Sequence, residues 1–146
     1  MKNAAKTMDL TIALEKEPDE ATERVIGEGL NSYNRAAAPG ARDQALCLIA
    51  RDAEAAPQAG LIGLTYFEWL FVKWLWVAEA YRRCGVGSRL LEEAEAIARE
   101  RGMSHAYLDT FTFQAPAFYE KHGYREFGRL PATADGHSRI WLAKRL

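Results

Sequence analysis

The sequence predicts a mixed α/β domain built on one layered sheet, and three observations carry that prediction. Short apolar runs with a period of two recur along the chain, as half-buried strands require. Other stretches repeat their apolar residues every three or four positions, as amphipathic helices do. Between Leu70 and Phe111 a strand pattern, a glycine-containing turn, a helix pattern and another strand follow one another, the order of a parallel crossover unit.

Taken in order, Leu10, Ile12 and Leu14 alternate with Thr11, Ala13 and Glu15 and predict a first strand. Pro18-Asp19-Glu20 breaks the chain and supplies acidic residues for a helix start. Val25, Ile26, Leu30 and Tyr33 then give a first helix from about Asp19 to Asn34, which ends in Ala36-Ala37-Ala38-Pro39-Gly40. Ala45 to Ala50 reads as a strand and Glu54 to Gln58, with Pro57, as a turn. Leu61 to Phe67 and Leu70 to Val77 are strands close enough to form a tight antiparallel hairpin near Glu68-Trp69. Leu90, Leu91, Ala94, Ile97 and Ala98 share one face of the next helix, with Glu92, Glu93, Glu95 and Arg99 largely on the other. Arg101 and Gly102 mark its stop. Ala106, Leu108 and Thr110 alternate with Tyr107, Asp109 and Phe111 in a strand. Pro116 suits the first turn of a short helix that stops at Gly123. A hairpin closes the chain: Tyr124 to Leu130, a turn containing Asp135-Gly136, then Arg139 to Ala143. The expected order is β-α-β-β-β-α-β-α-β-β, one domain over residues 1–146.

Composition narrows the function. A chain of 146 residues can bury a core without metal or disulfide staples. The net charge of −1 provides no field for nucleic acid. Cys47 and Cys84 have neither metal-ligand spacing nor the look of a disulfide framework, so a reducing compartment, the cytoplasm, is expected. Cys47 reads as a buried small residue. Met1 to Met8 lacks the apolar core of a secretory signal. The apolar run Leu61 to Ala78 is interrupted by Glu68 and Lys73 and crowded with aromatics, which suits paired strands rather than a membrane helix. The three histidines form no constellation, no nucleophile elbow is present, and no cluster suggests a metal.

The stretch with the most chemistry is Leu75-Trp76-Val77-Ala78-Glu79-Ala80-Tyr81-Arg82-Arg83-Cys84-Gly85-Val86-Gly87-Ser88. A strand feeding a basic glycine loop at a helix N-terminus can hold phosphate with free N–H groups and the positive end of the helix dipole. No Gly-Lys-Ser/Thr follows, so it is not a P-loop, and the third glycine of a dinucleotide fingerprint is missing. Taken alone, the glycine pair is more often a tight strand-to-helix turn.

A family resemblance makes this stretch specific. Arg-x-x-Gly-x-Gly at Arg82, Gly85 and Gly87, preceded by Leu75-Trp76-Val77, resembles the acetyl-CoA signature of the GNAT family of N-acetyltransferases. Ala115-Pro116-Ala117-Phe118-Tyr119-Glu120-Lys121-His122-Gly123-Tyr124 is similar to that family's second block, and the likeness runs from about Gly60 to Gly128. The resemblance implies a GNAT-like acyl-CoA N-acyltransferase fold, a mainly antiparallel sheet flanked by helices. It implies that the N–H groups of Arg83, Cys84, Gly85, Val86, Gly87 and Ser88 hold the pyrophosphate of coenzyme A, with Arg82 and Arg83 adding charge. It further implies that the edge at Trp76-Val77 pairs with the pantetheine arm, and that a backbone N–H there polarises the thioester carbonyl. Tyr119 matches the tyrosine that protonates the departing thiolate. Many members carry an asparagine where this chain has Thr112, and Gln114 is the neighbour placed to take over its cofactor contact.

The activity implied is acetyl transfer from acetyl-CoA to a primary amine, of a small molecule rather than a protein, by direct attack in a ternary complex without metal. Glu68, Glu79 and Asp109 are the candidate bases, and the sequence does not choose among them. Tyr33, Glu68 and Asp109 are the candidate acceptor-binding residues, and the aromatics Trp69, Trp74, Trp76, Phe111 and Phe113 either line an acceptor pocket or pack the sheet. The partners implied are acetyl-CoA and the amine, with a homodimer open and neither nucleic acid nor membrane. The competing readings are a non-catalytic acyl-CoA sensor, a protein N-terminal or lysine acetyltransferase, and a nucleotide-binding domain.

Overall fold

The structure, a computed structural model, describes residues 10–40 and 42–146. It falls into two compact units, one ending at Pro39 and one running from Gly40 to Leu146. In the first unit a single helix, α1 (Glu20–Ala37), begins at the N-cap Asp19, whose Oδ1 accepts the Thr22 N–H at 2.8 Å. The strand expected at Leu10 to Glu15 is not formed. Alternation alone does not make a strand: its N–H and C=O groups need a ladder, and the described part of this unit contains no second strand.

The second unit is a six-stranded sheet with two helices. Its strands are β1 (Gln44–Arg51), β2 (Pro57–Tyr66), β3 (Trp69–Val77), β4 (His105–Phe111), β5 (Arg125–Arg129) and β6 (Arg139–Arg145). The helices are α2 (Val86–Glu100) and α3 (Pro116–Lys121). The spatial order is β1-β2-β3-β4-β6-β5, antiparallel throughout except for the β3/β4 pair. The fold is therefore the expected mixed α/β sheet, with α2 as the crossover between its two parallel strands.

Strand alternation divides the sheet into two faces. Leu46, Leu61, Leu70, Val72, Ala106, Leu108, Ile140 and Leu142 pack with Leu91, Ala94 and Ala98 of α2 as the core, joined by Tyr124. The opposite face carries an aromatic row, with Trp69 stacked on His105 at 4.7 Å and Phe71 on Tyr107 at 4.8 Å. Cys47 belongs to that second face and is exposed, not buried as expected, because Leu46 and Leu48 take the inward positions.

Two features differ from a plain reading of α2 and β3. Glu95 lies on the buried side of α2 at 3 % exposure, since it shares its face with Leu91, Ala94 and Ala98. The cost of burying the carboxylate is offset by the Tyr124 hydroxyl at 3.0 Å and the Lys144 ammonium at 2.7 Å. In β3 the register jumps between the pairs Ile62↔Trp74 and Gly63↔Val72, leaving Lys73 as an extra, bulged residue. Beyond this bulge β3 parts from β4: their parallel ladder covers only Trp69–Val72 against His105–Leu108. Lys73 to Val77 therefore keep a free edge on the β4 side.

Candidate active site

The free edge of β3 opens into a cleft of about 540 Å³, walled by the start of α2 and by α3. Leu75 and Val77 line it from β3, Arg83, Gly85, Gly87 and Ser88 from the loop and helix start, and Phe118, Tyr119 and Lys121 from α3. Chain direction explains the convergence. The parallel strands β3 and β4 point the same way, so the loops after both of them meet at one end of the sheet, where such sheets take ligands.

The helix start forms a cradle of peptide N–H groups. After β3 a single 3₁₀ turn, Glu79–Tyr81, leads to Arg83 and Gly85, both with positive φ (62° and 79°), which turn the chain into α2. The first α2 bond near this end is Arg89 N–H to Gly85 O at 3.0 Å. Among the described residues, the N–H groups of Arg83, Cys84, Gly85, Val86, Gly87 and Ser88 have no protein acceptor. Six unspent donors at the positive end of a 15-residue helix are an arrangement that can hold an anion such as a phosphate. Gly87 leaves a gap in the wall that a Cβ would fill in ordinary contact, 3.5 Å from the Phe118 ring and 3.6 Å from Val77.

Val77 presents its peptide groups to the cleft. Ala78 N–H donates to Gln58 O at 2.8 Å, towards β2, so strand alternation turns the Val77 N–H and C=O to the opposite, free edge. The carbonyl there accepts from Arg82 Nε at 3.0 Å. Arg82 thus braces the strand end as well as lining the cleft. The Trp76 side chain points to the other face, is 54 % exposed and does not line the cleft. Cys84 is exposed, its Sγ at 3.5 Å from Arg82 O, so only its backbone faces the cradle's purpose.

Tyr119 enters from the first turns of α3, which Pro116 begins. Its ring packs edge-on against Phe118 and Tyr124, with centroids 5.1 and 6.1 Å away. Burial pushes the phenol above its ordinary range, which keeps its proton in place at neutral pH. Within the described residues its hydroxyl has no hydrogen-bond partner, leaving it free to serve a ligand in the cleft.

Other expected site residues lie elsewhere. Gln114 does not line the cleft; its Oε1 accepts from Thr110 Oγ1 and from Phe111 N–H, both at 2.8 Å, closing the end of β4. Thr112 is likewise engaged with Ser138, accepting its N–H at 3.1 Å. Glu68 sits in the β2/β3 turn, at the end of β3 opposite Val77, where its carbonyl accepts from Ser104 and His105. It is not brought to the cleft. Asp109 faces the aromatic side of the sheet and is bound to the Arg139 guanidinium, with Nε at 2.7 Å. Tyr33 belongs to α1 in the first unit, and its expected role rests on the family resemblance alone. Conversely, Lys121 and Ser88 join the site in ways the residue pattern did not reveal: Lys121 adds a third cation to the lining, and Ser88 Oγ is hydrogen bonded to His122 Nε2 at 2.9 Å. Both lie within the two motif blocks, but nothing in those blocks signalled these side-chain contacts.

Comparison with known proteins agrees with this geometry. An acetyltransferase (GNAT) domain model matches residues 43–126. An acetyltransferase of Agrobacterium fabrum is 36% identical over 127 residues, covering 87% of this chain and 93% of the relative. The blasticidin-S acetyltransferase of Streptomyces morookaense is 42% identical over 88 residues, covering 60% of this chain and 65% of its own length. The crystal structure of an Agrobacterium tumefaciens protein assigned as an acetyltransferase superposes with a TM-score of 0.87 at 34% identity, covering 94% of this chain and all of that one. With its cradle, open strand edge and half-buried tyrosine in one cleft, the chain belongs to the GNAT family of acetyltransferases.

Proposed function

We propose that the protein acts as a single catalytic domain that transfers the acetyl group of acetyl-CoA to a primary amine of a small molecule, in the cytoplasm. The observation that carries the reading is the row of six free N–H groups from Arg83 to Ser88, heading a cleft that also contains the free edge of β3. A pyrophosphate fits the cradle, with Arg83 and Lys121 beside it, and an extended amide-bearing arm fits the unpaired edge as an added strand would. The room kept by Gly87 between Phe118 and Val77 suits the close approach this needs.

The chain's own groups then have separable tasks. The Val77 N–H polarises the thioester carbonyl and stabilises negative charge on its oxygen as a neutral amine attacks; losing one such donor elsewhere costs about 10²–10³ in kcat. As the C–S bond breaks, Tyr119, which holds its proton at neutral pH, gives it to the departing sulfur, and the proton shed by the new amide nitrogen passes through solvent and restores the phenol. Holding both reactants in the cleft supplies the remaining advantage. A small-molecule acceptor is supported by the relative named for blasticidin S. Exposed, unpaired Cys47 and Cys84 suit a reducing compartment.

The test is a thermal melt with coenzyme A followed by an amine panel that includes blasticidin S, read as free thiol release. Coenzyme A at about 100 times its Kd stabilises the fold by roughly 2.7 kcal/mol. At least one amine releases thiol in excess of the amine-free rate. An unmoved melt removes the cofactor reading, and binding without turnover on any amine favours an acyl-CoA sensor.

A further inference from the structure

His122 lies just past α3, 16 % exposed on its side chain, and is explained only in part by its place at a helix C-terminus. Its Nε2 is hydrogen bonded to Ser88 Oγ at 2.9 Å, and among the described residues no other side-chain hydrogen bond joins the start of α2 to the end of α3. The same imidazole packs on the Phe118 ring at 4.9 Å between centroids. Phe118 in turn borders the gap beside Gly87, and Tyr119 is the next residue. The other groups facing His122 do not compete for it. Glu92 Oε1 is 4.0 Å from Nδ1 and mostly solvated, and Lys144, whose methylenes lie beside Gly123, gives its ammonium to Glu95.

A helix as short as α3, six residues, has no stability of its own and takes its position from tertiary contacts. We infer that His122 is a positioning residue of the transfer reaction: by bonding Ser88 it ties α3, and with it Tyr119, to the phosphate cradle at the start of α2. This rests on the function proposed above. The tie sets the distance between the anchor of the coenzyme and the proton donor for its sulfur, two points that belong to different elements. Cofactor binding and leaving-group protonation are thereby coupled through one side-chain pair.

The experiment is a double-mutant cycle of Ser88→Ala and His122→Leu, with His122→Gln as the conservative variant, on an amine that the wild-type enzyme acetylates. His122→Leu is expected to lower kcat/KM for acetyl-CoA by about 10- to 100-fold, the scale of a small misplacement of reacting groups, while KM for the amine stays unchanged. Ser88→Ala, which keeps its N–H in the cradle, gives a similar loss, the double variant loses no more than the worse single, and His122→Gln restores most of the rate. Where His122→Leu fails to fold, His122→Asn, too short to reach Ser88, replaces it. The inference is overturned by wild-type kinetics in the variant lacking the bond, by multiplicative losses in the cycle, or by a Gln variant as impaired as the Leu one. Failure of the underlying function is distinct: the wild type itself then shows neither turnover nor stabilisation by coenzyme A.

Discussion

Gly63→Ala tests whether the close approach of β2 to the β3 bulge is needed to hold the site open. An alanine Cβ at 63 would lie 2.2 Å from the Phe71 carbonyl oxygen and 3.3 Å from its carbon. Even a weak C–H···O contact sits at about 3.3 Å or more, so roughly 1 Å must be found between strands spaced at about 4.8 Å. The obstacle is backbone in a paired ladder, so no rotamer change relieves it. Overpacking of this kind costs about 1–3 kcal/mol, and a backbone neighbour puts it near the top of that range. At about 2–4 °C per kcal/mol for a domain of this size, Tm should fall by roughly 6–12 °C. Because the same bulge ejects Lys73 and frees the edge up to Val77, acetyl transfer should fall more than the stability loss alone explains. Gly60→Ala is the milder control on the same strand: its Cβ meets the tip of Ile49 at 3.0 Å, which side-chain movement relieves, and the backbone Leu48 O at 3.2 Å, which has to give by only a few tenths of an ångström. Differential scanning calorimetry reads both. A Gly63→Ala melt within 2 °C of wild type, or no lower than that of Gly60→Ala, would refute the reasoning.

Two further outcomes follow from the same packing. Tyr119→Phe should lower kcat by about 10²-fold with the fold intact. Since the neutral phenol is the active form and burial raises its pKa from 10.0, the wild-type rate should hold into the alkaline range and fall only as pH rises through the raised value, a limb that Phe abolishes. A pH–rate profile identical in both enzymes would remove Tyr119 from the chemistry. Glu95→Ala should destabilise the protein by about 3–5 kcal/mol in urea unfolding, because it strands the Lys144 ammonium and the Tyr124 hydroxyl. Glu95→Gln, which still accepts from Tyr124, should cost less; equal losses would mean that the hydroxyl bond contributes nothing.

The sequence made the elements of the second unit legible because periodicity and turn residues agree there. Leu90 to Ala98 is apolar at helical spacing, and the Arg101-Gly102 stop coincides with the observed end of α2 at Glu100. Leu10 to Leu14 misled because alternation reports which face of a strand is apolar, not whether a partner strand is present. Glu95 misled in the opposite sense: by type it belongs outside, while its position one turn after Leu91 puts it inside, and only the later arrival of Tyr124 and Lys144 makes that tenable. Asp109 and Gln114 were plausible site residues by type and place, yet each is engaged by a neighbour distant or hidden in sequence, Arg139 for one and the end of β4 for the other.

The candidate site depends mainly on peptide groups, and this explains what could be read in advance. An N–H has no letter in the sequence. Its availability shows only through the residues that keep other partners away: the left-handed turn at Arg83 and Gly85, the start of α2 just after it, and the bulge at Lys73 that ends the β3/β4 ladder. The first two leave a trace, since glycines before an amphipathic run mark an uncapped helix start. The bulge leaves almost none. Gly63 is one small residue in an apolar strand, and its necessity appears only when Phe71 O is found 2.2 Å from where a Cβ would be. The uncapped helix start was therefore legible in the chain, whereas the geometry that frees Val77 had to be seen in three dimensions. Both arise from the same physical device, a backbone prevented from satisfying itself, and that is why substitutions of small residues should damage this site as severely as loss of Tyr119.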